Sequence, residues 1–113
     1  MSQVEIARLA ASAASEKKAH GVTILDIRGL CVFADYFVIC HGTSQTQVQA
    51  IATGIKEKVN QSDVSLKGIE GYQDARWVLM DLGDVVVHIF HKDERDFYDL
   101  ERLWGDAQSF QVQ

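Results

Sequence analysis

The sequence has no proline, only two cysteines and no apolar run long enough to span a bilayer. The absence of proline argues against linkers, and the length and composition indicate one globular domain over residues 1–113. Cys31 and Cys40 have no motif spacing, so we expect free thiols in a reducing, cytoplasmic compartment. Because Met1 does not begin a signal-peptide pattern, no membrane partner is expected.

Basic residues are scarce in the second half of the chain. From Glu70 to Gln113 there are ten acidic and four basic side chains, a net charge of −6, whereas the whole chain carries −5. Binding to nucleic acid needs clustered lysine and arginine, so we expect little direct nucleic acid contact. The charge favours a basic partner, although on charge alone a solvated acidic face kept for solubility is the simpler explanation.

A β-hairpin is the strongest pattern in the chain. Two apolar runs, residues 77–82 and 85–91, flank Gly83 and Asp84, and glycine at the first central position favours a type II′ turn. If the two residues beside the turn pair, one face is wholly apolar and belongs to the core: Val78, Met80, Leu82, Val85, Val87 and Ile89. The other face carries Trp77, Leu79, Asp81, Val86, His88 and Phe90. This aromatic face with one carboxylate and one imidazole is typical of a protein-binding patch.

The rest of the chain predicts helices and further strands. The expected elements are a capped helix from Ser2 to about His20, a strand over Val22–Ile27, a buried strand over Tyr36–Cys40, a helix from Ser44 to about Val59, a short strand over Ser65–Glu70 parallel to the second, a helix from Asp93 to about Gly105, and an irregular tail over residues 108–113.

Neither the histidines nor the cysteines form a predicted site. His88 and His91 are three apart on one strand, so their side chains point to opposite faces and cannot share a metal. Cys40 and His41 diverge for a similar reason, which favours a buried, inert thiol. No metal and no cofactor are therefore predicted.

The remaining candidates for chemistry also have simpler explanations. Asp81 and Asp84 straddle the hairpin turn, where no pocket for a general acid is predicted. The turn from Gly42 to Ser44 has no Walker lysine and no glycine triad, so helix capping is favoured over anion binding. No catalytic residue is predicted.

Several motifs match one known family. They are Ala34–Ile39 followed by Gly42-Thr43-Ser44, then Glu70-Gly71, Ala75, Trp77, Asp81–His88, Arg95–Glu101 and Leu103-Trp104. On these motifs the chain closely resembles the ribosomal silencing factor (Iojap-like) family.

The resemblance implies a fold and a function. The fold class is α/β (α+β), similar to that of nucleotidyltransferases, with a mixed sheet, helices mainly on one side and no catalytic carboxylates. The implied function is not enzymatic. The protein would bind a large-subunit ribosomal protein, the one numbered fourteen, at the subunit-joining face, block association of the subunits and repress translation under nutrient limitation. A homodimer is expected when the protein is free.

The family's binding role also implies candidate contact residues. Carried over to this sequence, they are Trp77, Asp81, Leu82, His88, Tyr98 and Trp104. Leu82 lies on the predicted core face, so its inclusion depends on the resemblance alone. The alternative function is a degenerate nucleotidyltransferase-like enzyme that binds nucleotides. After residues 42–44, however, the next strand has no pair of carboxylates at alternating positions to hold magnesium.

We predict that the chain does not bind nucleoside triphosphates at physiological levels. The reason is the missing carboxylate pair and the missing lysine after Gly42. Titration with ATP and magnesium by isothermal calorimetry checks this. Saturable micromolar binding that is lost in Ser44→Ala would contradict it.

Overall fold

The computed structural model describes the backbone of residues 1–98 and 108–111 and the side chains of residues 1–95. The helices are α1 (Gln3–Glu16), α2 (Gln45–Asn60) and α3 (Lys92–Tyr98), and the strands are β1 (His20–Asp26), β2 (Tyr36–Gly42), β3 (Gly68–Glu70), β4 (Trp77–Asp81), β5 (Val85–His91) and β6 (Gln108–Gln111). The part of the predicted last helix beyond residue 98 lies outside the described residues. No helix in the described part is long and apolar enough to cross a membrane.

The six strands form one mixed sheet in the order β3-β4-β5-β2-β1-β6. β2 and β5 are parallel at its centre, and the other neighbours are antiparallel. As predicted, β3 runs in the same direction as β2, but it lies at the sheet edge against β4. The prediction of an irregular tail is wrong, because residues 108–111 pair with β1. Pairing of that kind depends on a distant strand, which the local sequence does not reveal.

The capping box at the start of α1 is confirmed. The Ser2 hydroxyl accepts a hydrogen bond from the Glu5 amide at 3.3 Å, and the Glu5 carboxylate accepts one from the Ser2 amide at 3.1 Å. The helix ends at Glu16, earlier than predicted. Lys18 takes a left-handed conformation (φ 63°) that turns the chain, and His20 therefore begins β1 instead of ending the helix.

The main core lies between one face of the sheet and helices α1 and α2. All six hairpin residues predicted for the core belong to it and are buried, so that face is confirmed. A second, smaller cluster lies on the opposite face of the sheet, and its buried members are Leu25, Ile27, Ala34, Ile39 and Phe90. The fold is therefore a single α+β domain whose central strands are covered on both sides.

The third helix is attached to the edge of this second face. Nη1 of Arg95 donates to the carbonyl of Gly21 at 2.8 Å and lies 3.0 Å from Nδ1 of His41. A salt bridge between Arg76 and Glu94, with 3.3 Å between the charged atoms, adds a surface contact.

Met80→Ala should destabilise the fold by about 2–5 kcal/mol, because Met80 is fully buried in the main core. Leu79→Ala, one residue away on the half-buried opposite face, is the matched control and should lower the unfolding free energy clearly less. Urea unfolding of both variants measures the difference. Equal losses would contradict the assignment of the two faces.

Candidate protein-binding face

A tight loop places Trp77 at the start of β4. Gly71 has φ +80°, and a Cβ atom there would collide with the carbonyl oxygen of Trp77. The amide of Ala75 donates to the carbonyl of Gly71 at 3.0 Å and closes the loop. Only glycine fits this close approach at positive φ, so the loop and the strand start are fixed relative to each other.

The indole of Trp77 lies in an aromatic cluster on the second face. Its Nε1 donates a hydrogen bond to Nδ1 of His88 at 3.1 Å, and its ring centroid is 5.0 Å from that of Phe90. The Phe37 and His88 rings meet in a T-shaped arrangement, with 4.5 Å between the centroids. These contacts hold the indole in one orientation while leaving the residue half-buried rather than enclosed.

The environment of His88 keeps its imidazole neutral. The residue is only 4% exposed, and burial lowers its pKa from 6.5 to about 4. Because Nδ1 accepts from Trp77, the proton of the neutral ring is on Nε2. Among the described residues this buried Nε2 has no hydrogen-bond partner.

The prediction that the whole second face is an interaction surface needs correction. His88 and Phe90 are buried, because β5 is a central strand and the aromatic cluster covers them. The half-buried residues on this face lie mainly on the neighbouring strand: Trp77, Leu79 and Asp81. We call these three residues the β4 strip. A groove of about 380 Å³ lies beside it, lined by Glu70, Gly71, Trp77 and Leu79.

Two of the candidate contact residues stabilise the hairpin turn. Oδ1 of Asp81 accepts a hydrogen bond from the amide of Gly83 at 2.8 Å, and Gly83 has the expected positive φ of 95°. Leu82 pairs with Val85 across the turn, as predicted, and its side chain is 4% exposed in the main core. A partner therefore cannot reach Leu82 in this conformation.

The last two candidates cannot be placed against the strip. Tyr98 ends α3, but its side chain is outside the described residues, as is all of Trp104.

The loop between β1 and β2 is an exposed apolar feature that the sequence analysis missed. Leu30, Val32 and Phe33 are 45%, 94% and 82% exposed. We call these three residues the loop tip. The available signal was a run of apolar residues with neither helical nor strand periodicity, ahead of the buried strand β2.

Cys40 and the possible metal ligands were two further candidates for chemistry. Burial raises the pKa of the Cys40 thiol to about 12, so this thiol is protonated and unreactive at neutral pH. Within residues 1–98 and 108–111, no group of histidine, cysteine and carboxylate side chains is arranged to hold a metal ion.

Comparison with known proteins assigns the family. The family model described as "Ribosomal silencing factor during starvation" matches residues 1–113. The chain belongs to this family.

Close relatives cover nearly all of the chain. It is 54% identical to the ribosomal silencing factor RsfS of Bacillus subtilis over 107 residues, which are 95% of this chain and 91% of the relative. It is 51% identical to RsfS of Halalkalibacterium halodurans over 113 residues, which are 100% and 97% of the two chains. A crystal structure of a protein from Bacillus halodurans superposes with a TM-score of 0.84 at 48% identity, covering 96% of this chain and 98% of that one.

Burial of His88 should make stability depend on pH. Because its folded pKa of about 4 is below the unfolded value of 6.5, the unfolded state binds more protons between these values, and stability falls as the pH falls. The lowered pKa should reduce the free energy of unfolding by about 3 kcal/mol between neutral pH and pH 4. His88→Gln keeps an acceptor for Trp77 but does not titrate.

The measurement is the unfolding free energy of wild type and His88→Gln from pH 7 to pH 4. Over this pH range the unfolding free energy of the wild type should fall by about 3 kcal/mol more than that of the variant. Parallel curves, or an NMR titration of the His88 ring with a midpoint near 6.5, would refute the buried neutral state.

Proposed function

We propose that this protein is a ribosomal silencing factor that docks on a basic protein of the large ribosomal subunit. Bound at the subunit-joining face, on the ribosomal protein numbered fourteen, it blocks association with the small subunit and represses translation when nutrients are limiting. In this proposal the protein acts in the cytoplasm as a regulator and not as an enzyme. The observation that carries the proposal is the half-buried β4 strip, held on a rigid hairpin in a chain of this family.

Trp77 has the properties of an interface anchor. Tryptophan is enriched among residues whose truncation costs most of the binding energy. The hydrogen bond to His88 and the contact with Phe90 already fix the indole, so little side-chain entropy is lost when a partner covers it. In this proposal His88 acts through Trp77 as a positioning residue, and Asp81 and Leu82 act by holding the turn.

The charge around the strip supports a protein partner. Asp81 belongs to the strip, and the exposed carboxylates beside it are Glu70 at the end of β3, Asp74 in the following loop and Asp84 in the hairpin turn. The exposed cations nearby are fewer, namely Lys67 and Arg76, and Arg76 is paired with Glu94. These carboxylates attract a basic protein and repel ribosomal RNA, so direct nucleic acid contact is minor. Such exposed charges mainly steer association and select the partner rather than supply affinity.

The free protein is proposed to be a homodimer. This part of the proposal rests on the resemblance to the ribosomal silencing factor family. No membrane contact is part of the proposal, because the chain carries a net charge of −5, which disfavours anionic lipid surfaces.

The proposal predicts that Leu79→Lys abolishes most binding to large subunits. The lysine stem can cover the same apolar surface, so the fold is retained, but the ammonium group faces a basic partner. Ser12→Lys, at an exposed site on α1, makes the same charge change away from the strip and should bind normally.

Co-sedimentation with purified large ribosomal subunits measures this, and melting temperatures check the fold. We expect at least an about tenfold weaker affinity for Leu79→Lys. Equal binding by both variants would exclude the β4 strip, and no binding by the wild type would exclude the proposed function.

A further inference from the structure

The loop tip is held in a defined position although it is exposed. The amides of Leu30 and Cys31 donate to the carbonyl of Ile27 at 3.0 and 3.2 Å, which closes a tight turn before the tip. After the tip, the amide of Asp35 donates to the carbonyl of Asp84 at 2.7 Å and fastens the loop to the hairpin turn. The tip is therefore fixed at both ends.

The exposure of this tip is unusual. Single exposed apolar residues are normal on protein surfaces, but adjacent large ones have a cost in solubility and mark contact sites. Together with Met1, the three tip residues are the exposed large hydrophobic side chains in the described part of the chain. Three of the four lie within four consecutive positions.

The loop tip is continuous with the β4 strip. Cys31, between Leu30 and Val32, and Ala34, directly after the tip, pack in the second cluster with Phe37 and Val86. Both of these residues are half-buried, and Trp77 packs against the same cluster. An apolar path thus leads from the tip across β2 and β5 to the strip on one face of the sheet.

The charges beside the tip are mostly negative. Arg28 forms a salt bridge with Asp26, with 2.7 Å between Nη2 and Oδ2. The hydrogen bond from Arg28 in this contact holds the pKa of the Asp26 carboxyl group below its usual range. The backbone bond between Asp35 and Asp84 brings two more carboxylate residues together. Nucleic acid and anionic lipid would be repelled here, and a second copy would bring the same carboxylates against these. A basic protein is the occupant that fits.

We propose that the loop tip is the second half of the docking surface and inserts into an apolar recess on the same basic ribosomal protein that the β4 strip contacts. This inference rests on the proposed function and adds a contact element to it. The strip supplies a rigid aromatic anchor, and the tip supplies apolar side chains that are already exposed before binding.

The experiment compares wild type, the double variant Val32→Ser/Phe33→Ser and the control double variant Thr46→Ser/Ala50→Ser. The control places two serines at exposed positions of α2, the helix that covers the opposite face of the sheet. Binding to purified large subunits is measured by co-sedimentation, self-association by analytical ultracentrifugation, and folding by thermal melting.

The tip variant should lose binding without losing stability. Because Val32 and Phe33 are both more than 80% exposed, the melting temperature should not fall. We expect the tip variant to bind large subunits at least about tenfold more weakly, while the control binds as wild type does.

The outcomes separate this inference from the proposed function. If the wild type and the tip variant bind equally, the tip is not a contact and the proposed function stands. If the wild type does not bind large subunits, the proposed function fails and the inference fails with it. If subunit binding is unchanged but self-association is lost, the occupant of the tip is a second copy, which overturns the inference.

Discussion

Burial of strand β5 on both faces is the constraint on which the rest of the structure depends. Val87 and Ile89 face the main core, whereas His88 and Phe90 face the second cluster. An imidazole in that position has to be neutral and needs a donor for one ring nitrogen, because an unpaired buried polar atom costs about 1–3 kcal/mol. The pairing of β4 with β5 brings Trp77 within reach, and its indole N–H is that donor.

The two faces of the sheet are covered to different extents. Helices α1 and α2 pack on one face, and the small side chains of α1 allow close packing. On the other face, the described residues leave a half-buried strip along β4 and a projecting loop between β1 and β2. Apolar side chains fixed on a sheet in this way bind a partner with less ordering cost than the same residues on a mobile segment.

The sequence predicted the alternation along the hairpin and the positive φ at Gly83 correctly, because both follow from local periodicity and turn chemistry. It did not predict the burial of His88, which depends on the non-local parallel pairing with β2. The pairing of residues 108–111 with β1 was missed for the same reason. Residues 28–35 were interpreted only as a turn and an irregular return to the next strand, because the exposure of Val32 and Phe33 cannot be read from a short run without periodicity.

In the proposed binding mode, the hairpin residues contribute to both folding and binding, whereas the loop-tip residues contribute to binding alone. Trp77 contacts both the buried cluster and the groove, so its replacement leaves Nδ1 of His88 without a donor while it removes exposed aromatic surface. A loss of binding in such a variant has two explanations. Val32 is almost fully exposed and packs against little, so its replacement leaves the core intact. Variants of the loop tip therefore test the proposed contact role of this face more directly than variants of the hairpin that supports it.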